Sequence, residues 1–236
     1  MAFIVYCVLW AFNFLTARLL YDRNPEMSPY QMIAMRSLFA IIFQAMYVNK
    51  ELKAAVWDGV NRHNSGALVA RTVLGVAINS INYGLARYLP LSYLAIAVNM
   101  GPFVTLVLAY FMLHERITAF DVTMITMTVA GILVVITQRE GETGDDRQQP
   151  QLSHLGKIFL YIGLVVMPVC SAGGNIAMRK MQKFHDAVVS WYLSWSLLGF
   201  SLLVVLVTGM GFGPIYEWDS TSWALAMGCG LFAFTS

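Results

Sequence analysis

The chain has 236 residues, of which 58% are hydrophobic and only 12% charged, with a net charge of +2 and a mean hydropathy of +0.63. A soluble domain carries about 25% charged residues, so this much apolar surface excludes an ordinary water-facing globule and makes lipid the solvent. The weak positive charge gives no argument for nucleic acid, and the charges that exist cluster between apolar runs, as membrane loops do.

The first apolar run, Ala2–Tyr21, has no positive segment before it and is longer than the roughly 7–15 residues of a signal-peptide core. It reads as the first transmembrane helix, with Arg18 near its end placed to snorkel toward the interface. The second span, Tyr30–Val48, carries Arg36 at membrane depth. The connection Asn49–Gly66 holds Lys50, Glu51, Lys53, Asp58 and Arg62, with Trp57 and Val60 as interfacial anchors. The third span, Ala67–Leu85, carries Asn79, Asn82 and Tyr83 at i, i+3 and i+4, hence on one helix face.

The fourth span, Leu91–Leu113, contains no Lys, Arg, Asp or Glu and is long enough to cross a bilayer. It nevertheless holds Asn99 and Pro102 near its middle and ends in His114-Glu115-Arg116. A polar side chain and a helix breaker at mid-depth are costly in lipid, and fit a helix that lines a cavity or packs on other helices. The fifth span is Phe120–Thr137, followed by the polar linker Gln138–His154, which cannot bury a core. Leu155–Met178 and Ala187–Thr208 complete seven full spans. An eighth starts near Trp223 and has 14 residues before the chain stops, about 21 Å against a hydrocarbon core of about 30 Å, so the chain is expected to be a fragment of a longer one.

The segments before and after the linker are weakly similar. A shift of 162 residues places Asn13 on Asn175 and Arg18 on Lys180. A shift of 158 places Arg36 on Ser194 and Pro29 on Ala187, a poor match. An odd number of spans per repeat would insert the second repeat the other way up, an inverted duplication of the kind secondary transporters use. Counted from a cytoplasmic N-terminus, eight basic loop and span-end residues fall inside and six outside, a slight positive-inside bias.

Cys7, Cys170 and Cys229 each lie in an apolar run, which is no disulfide framework and points to structural roles. His63, His114, His154 and His185 sit in loops or at span ends, so no metal site and no cofactor are expected. Asn13, Asn79, Asn82, Asn99 and Asn175 are amides at membrane depth that both donate and accept, which suits a polar solute; the alternative is glue between helices. For Arg36, seven residues into its span with no Asp or Glu beside it, the choice lies between a partner or wet cavity and snorkelling. Pro102 is expected to bend its helix and free a carbonyl near Asn99. Glu115 and Arg116 read as a helix-end anchor, with a gate as the alternative, and Gly173-Gly174 as a close helix contact. Trp10 and Tyr110 read as packing rather than as platforms for a substrate ring.

In order along the chain, several motifs resemble one family. They are Trp10 and Asn13 as W-x-x-N, then Pro29 with Arg36 seven residues on, then Tyr83-Gly84-Leu85 with Tyr88-Leu89-Pro90-Leu91-Ser92. Pro102 and Leu113-His114-Glu115-Arg116-Ile117-Thr118 follow, with His114 where the family has Gly, and then Gly131. The chain resembles the EamA-domain transporters of the drug/metabolite transporter superfamily, to which the nucleotide-sugar and triose-phosphate carriers are related. The resemblance spans about residues 2–208 and implies ten helices in two inverted five-helix repeats around a central cavity.

The expected fold is therefore an all-α polytopic transmembrane bundle: residues 1–137 a first repeat, 138–154 a linker, and 155–236 a truncated second repeat. The expected function is alternating-access transport of a small organic solute, bound by Asn13, Arg36, Asn79, Asn82, Tyr83, Asn99 and Asn175, with Pro102, Glu115 and Arg116 as bend or gate. No metal-ligand spacing, paired carboxylates, G-x-S-x-G or phosphate loop occurs, so no enzyme is expected. The competing readings are a seven-helix receptor-like signalling protein and a non-transporting or truncated membrane subunit. Expected partners are the lipid bilayer and a small-molecule substrate, with no nucleic acid, and a homodimer is left open. The expected location is integral in a plasma membrane or endomembrane, with the N-terminus cytoplasmic.

Overall fold

The computed structural model describes residues 2–48, 65–89, 91–113, scattered positions from 118 to 134, and 154–180, 186–212 and 218–235. The linker before His154, nearly all of the Asn49–Gly66 connection, about half of the fifth span, and His114, Glu115 and Arg116 lie outside the described residues. The chain is an all-α bundle, with no strand among the described residues. In chain order the helices are α1 (Ala2–Arg23), α2 (Pro29–Val48), α3 (Ser65–Tyr88), α4 (Leu91–Asn99), α5 (Gly101–Leu113), α6 (His154–Lys180), α7 (Asp186–Thr208) and α8 (Ser220–Thr235).

By length and composition, three described segments are apolar enough to cross a membrane: Tyr93–Phe111, Ile158–Met178 and Val188–Thr208. Their outer faces are strongly apolar, with Leu206 and Val207 each 78% exposed and Phe159 71%. Such faces are incompatible with water and natural in lipid, so the chain is an integral membrane protein. Inside, Leu20, Met27, Met32, Ile33, Tyr83, Leu197 and Cys229 form one buried cluster where α1, α2, α3, α7 and α8 meet. A second cluster of Phe14, Leu85, Leu94, Ala97 and Met167 joins α1, α3, α4 and α6.

The helix ends explain the boundaries. Ser28 and Gln31 form a reciprocal capping box on α2: Gln31 N–H donates to Ser28 Oγ at 3.2 Å and Ser28 N–H to Gln31 Oε1 at 2.7 Å. Pro29 takes the first helical position, where a missing N–H costs nothing. Gln31 Nε2 also donates to the Gly211 carbonyl at 2.6 Å, tying this end to the α7–α8 connection. At the start of α8, Ser222 N–H donates to Asp219 Oδ1 at 2.9 Å, and these Ser222 contacts, with Arg23 adding, hold the Asp219 carboxyl below its ordinary value. Gly209 ends α7 in the left-handed conformation at φ 68°, which glycine adopts without steric cost.

Arg18 departs from expectation. Instead of snorkelling outward, its Nη1 donates to the α3 carbonyls of Ala86 at 2.9 Å and Arg87 at 3.3 Å, where a cation complements the helix dipole. The fourth expected span is interrupted: α4 ends at Asn99 and α5 begins at Gly101. Pro102 has no N–H for the Val98 carbonyl, whereas Met100 N–H still reaches Ile96 and Val104 N–H reaches Met100, both at 3.1 Å.

The packing has a repeating logic. α2 lies on α7; α3 packs on α6 as α1 packs on α8; and α2 contacts α8 as α3 contacts α7. At the α2–α8 crossing, a Cβ on Gly230 would sit 2.4 Å from Phe39 Cβ and 3.2 Å from the Arg36 carbonyl oxygen. Only a residue without a side chain fits there.

Candidate functional site

The polar residues of α1, α2, α3 and α8 converge in the bundle. Asn13, Asn82, Tyr83 and Cys229 are buried, and Arg36 and Asn79 partly so. The Tyr83 hydroxyl donates to Asn13 Oδ1 at 2.7 Å, and Asn13 Nδ2 donates to the Cys229 carbonyl at 3.4 Å. The Cys229 thiol lies 3.5 Å from both Asn13 Oδ1 and the Asn13 carbonyl oxygen, so Asn13 on α1 holds α3 and α8 together. Phe14 stacks on Tyr83 with ring centres 6.1 Å apart, and Tyr21 donates its hydroxyl to the Tyr83 carbonyl at 3.4 Å. The Tyr83 ring is thereby fixed in position and tilt.

Arg36 leans on that ring. Its guanidinium carbon lies 5.1 Å from the Tyr83 ring centre, within cation–π range, and its Nη1 donates to Asn79 Oδ1 at 2.7 Å. Asn79 Nδ2 in turn donates to the Gly75 carbonyl at 2.8 Å, which aims the amide oxygen at the arginine. Of the two roles left open for Arg36, the structure shows the inward partner rather than snorkelling. The described ion pairs, Arg18–Asp22 at 3.4 Å and Arg23–Asp219 at 3.1 Å, lie elsewhere. Arg36 Nε, Ser37 Oγ, Gln44 Oε1 and Asn82 Oδ1 are buried without a hydrogen-bond partner. Orphaned buried polar atoms are costly and mark places where a network is incomplete in one state of a protein.

Four of the expected site residues, Asn13, Arg36, Asn79 and Tyr83, thus meet where α1, α2, α3 and α8 come together, and Asn82, next to Tyr83 in α3, is buried with its Oδ1 unpaired. Asn99 and Asn175 do not join their hydrogen-bond network. Asn99 is exposed at the α4–α5 interruption. Asn175, itself exposed among buried neighbours on α6, donates weakly to Thr105 Oγ1 on α5 at 3.4 Å. Glu115 and Arg116 fall outside the described residues, and so do the side chains of Pro102 and Trp10. Tyr110 is exposed and meets Phe111 edge-on. Gly173 and Gly174 face Leu74 and Arg71 of α3, a close helix contact as expected.

Sequence reasoning passed over Ser37, Gln44 and Thr105, and gave Cys229 a structural role without placing it beside Asn13. Ser37 and Gln44 are seven residues apart on α2 and each only 2–3% exposed, a polar stripe visible in the sequence of an otherwise apolar helix. Cys229 gave no signal, because a cysteine in an apolar run reads as a small hydrophobe. No cluster of three metal-ligating side chains occurs among the described residues. The network is neutral except for one cation, which suits binding and orienting a polar solute better than bond-breaking chemistry.

Residues 1–137, more than half of the chain, match the model of the EamA-like transporter family. No curated protein matches the chain.

Proposed function

The chain belongs to the EamA-like transporter family, and from that premise we propose that it carries a small organic solute across its membrane by alternating access. The observation that carries this reading is the convergence of Asn13, Arg36, Asn79 and Tyr83 on one locus inside an apolar bundle, with Arg36 Nε and the Oδ1 of Asn82, the residue before Tyr83, buried and unpaired. Polar groups kept at membrane depth are expensive and by default functional.

We read residues 1–137 as one repeat, 138–154 as a linker and 155–236 as belonging to a second, inverted repeat. Exchanging α1, α2 and α3 for α6, α7 and α8 maps the main helix contacts onto one another, which supports this division. Gly75 of α3 and Gly230 of α8 stand at the same depth in their helices, ten residues past Ser65 and Ser220. Gly75 meets Leu193 of α7 and Gly230 meets Phe39 of α2, the two crossings the exchange relates. Inverted repeats that rock about a shared crossing supply two access states from one set of contacts. In this reading Asn13, Arg36, Asn79, Asn82 and Tyr83 face the solute, Asn99 and Asn175 belong to the wall formed by α4, α5 and α6, and the Pro102 interruption lets that wall flex. Glu115 and Arg116 anchor the end of the fourth span, and the N-terminus is cytoplasmic.

The test is uptake. The full-length protein in liposomes is expected to accumulate at least one class of small labelled metabolite faster than empty liposomes, and Asn79→Ala to slow it. Absence of uptake for every class, with the protein shown to be folded and inserted, would refute the proposal.

A further inference from the structure

We infer that the solute carries an oxyanion, a carboxylate or a phosphate, and that Arg36 is the residue that pairs with it. This rests on the transporter reading and narrows it to a substrate class.

Arg36 stands seven residues past Pro29, about 10 Å into α2 by helical rise. Asn79, the Tyr83 ring and, through Tyr83, Asn13 hold its guanidinium in place. All three are neutral. In α1, α2, α3, α7 and α8, which wall the site, the carboxylates are Asp22, 3.4 Å from Arg18, and Asp186, the first residue of α7 at the end away from the Gln31–Gly211 contact. Among the described residues the cation is therefore positioned without a carboxylate partner, and its Nε is buried with no acceptor.

An arginine serving only to join two helices would be expected to use its donors on backbone carbonyls, as Arg18 does on α3. Arg36 instead keeps its Nε donor unused in a low-dielectric setting, where a charge without a counter-ion is at its least stable. An arriving carboxylate or phosphate removes that penalty and accepts two parallel N–H bonds from the planar guanidinium, a geometry lysine cannot supply. The same chemistry is offered by the headgroup of an anionic phospholipid, so the experiment must separate a soluble solute from a lipid.

The full-length protein is purified in neutral detergent and its unfolding midpoint followed while inorganic phosphate, succinate, the neutral isostere succinamide or the dication putrescine is titrated in. A saturable rise with phosphate or succinate is expected, and none with succinamide or putrescine. In Arg36→Gln the apparent affinity is expected to fall about ten- to hundredfold, as loss of a hydrogen bond to a charged group implies. Arg36→Lys is expected to retain part of it. Should Arg36→Gln fail to fold, Asn79→Ala keeps the cation but releases its holder and is expected to bind several-fold more weakly.

Native mass spectrometry and uptake into phosphatidylcholine vesicles, with and without phosphatidic acid, separate the remaining outcomes. An anionic lipid retained by the wild type and lost in Arg36→Gln, with no response to soluble anions, overturns the solute assignment. Uptake of a neutral or cationic solute that Arg36→Gln leaves unchanged also overturns it while leaving transport standing. Arg36-dependent anion binding with no uptake of any solute keeps the anion site and instead defeats the transporter reading.

Discussion

The Tyr83 hydroxyl and the Asn13 side-chain oxygen, 70 residues apart in the chain, meet in a buried 2.7 Å hydrogen bond. That bond fixes the face of the aromatic ring over which Arg36 lies, so a contact between two neutral groups helps set the position of the Arg36 guanidinium.

Tyr83→Phe is expected to keep the ring and lose the bond. A buried acceptor that loses its donor costs about 1–3 kcal/mol, softened here because the Cys229 thiol is 3.5 Å from the same oxygen. Thermal unfolding in detergent should register a loss at the low end of that range. A double-mutant cycle with Asn13→Ala should show coupling, and strictly additive effects would remove Asn13–Tyr83 as a structural unit.

Gly230→Ala places a methyl 2.4 Å from Phe39 Cβ and 3.2 Å from backbone at the α2–α8 crossing. Overpacking of this kind is expected to cost about 1–3 kcal/mol. Gly228→Ala, whose added carbon would meet only Phe232 at 3.9 Å, is the control and should be tolerated. Equal stability of the two variants would show that the helices do not cross at Gly230.

The α8 cap should respond to acid. Hydrogen bonds from Ser222, with Arg23 adding, lower the folded-state pKa of Asp219, so its contribution is present above the unfolded value of roughly 3.9 and is lost as pH falls through the folded one. Amide hydrogen exchange in the first turn of α8 is expected to quicken below that range. Asp219→Asn should abolish the acid response while keeping some capping, and an unchanged response would assign it to other carboxyls.

Pro102→Ala restores an N–H able to reach the Val98 carbonyl and should let one helix run through Met100. The expected result is slowed amide exchange around residues 98–104 with reduced uptake. Slower exchange with undiminished uptake would mean that the interruption plays no part in the transport cycle.

In a Cys7→Ser background, Cys170 should react with a small maleimide well before Cys229. Cys170 is partly exposed, whereas Cys229 is fully buried between α1 and α8. A solute that opens the bundle should raise Cys229 labelling, and equal rates from the outset would contradict the Asn13–Cys229 contact.

Much of the fold was legible because lipid leaves the backbone few options: apolar runs must close their own hydrogen bonds, so they become helices. The first, second, third, sixth and seventh expected spans match the described helices to within a few residues. The fourth is broken at Met100 and the fifth lies partly outside the described residues. Ser28, Gln31 and Gly209 supply the local chemistry for helix ends. The site was legible only as a set of residue types. Asn99 and Asn175 looked no different from Asn13 in sequence, yet one is exposed at an interruption and the other faces Thr105. Arg18 looked like a snorkelling residue because nothing local shows that the end of α3 stands beside it.

The sequence by itself determined that this is a multi-helix membrane protein with amides and one arginine at depths where lipid cannot solvate them, because composition and span length follow from transfer energies alone. Only the tertiary structure decided that Arg36 faces Asn79 and Tyr83, and that Asn13 meets Cys229 from 216 residues away. The reason is physical. In water, apolar periodicity distinguishes core from surface, but in lipid both faces of a helix are apolar, so rotation is set by close contacts between distant segments, such as Gly230 against the Arg36 carbonyl.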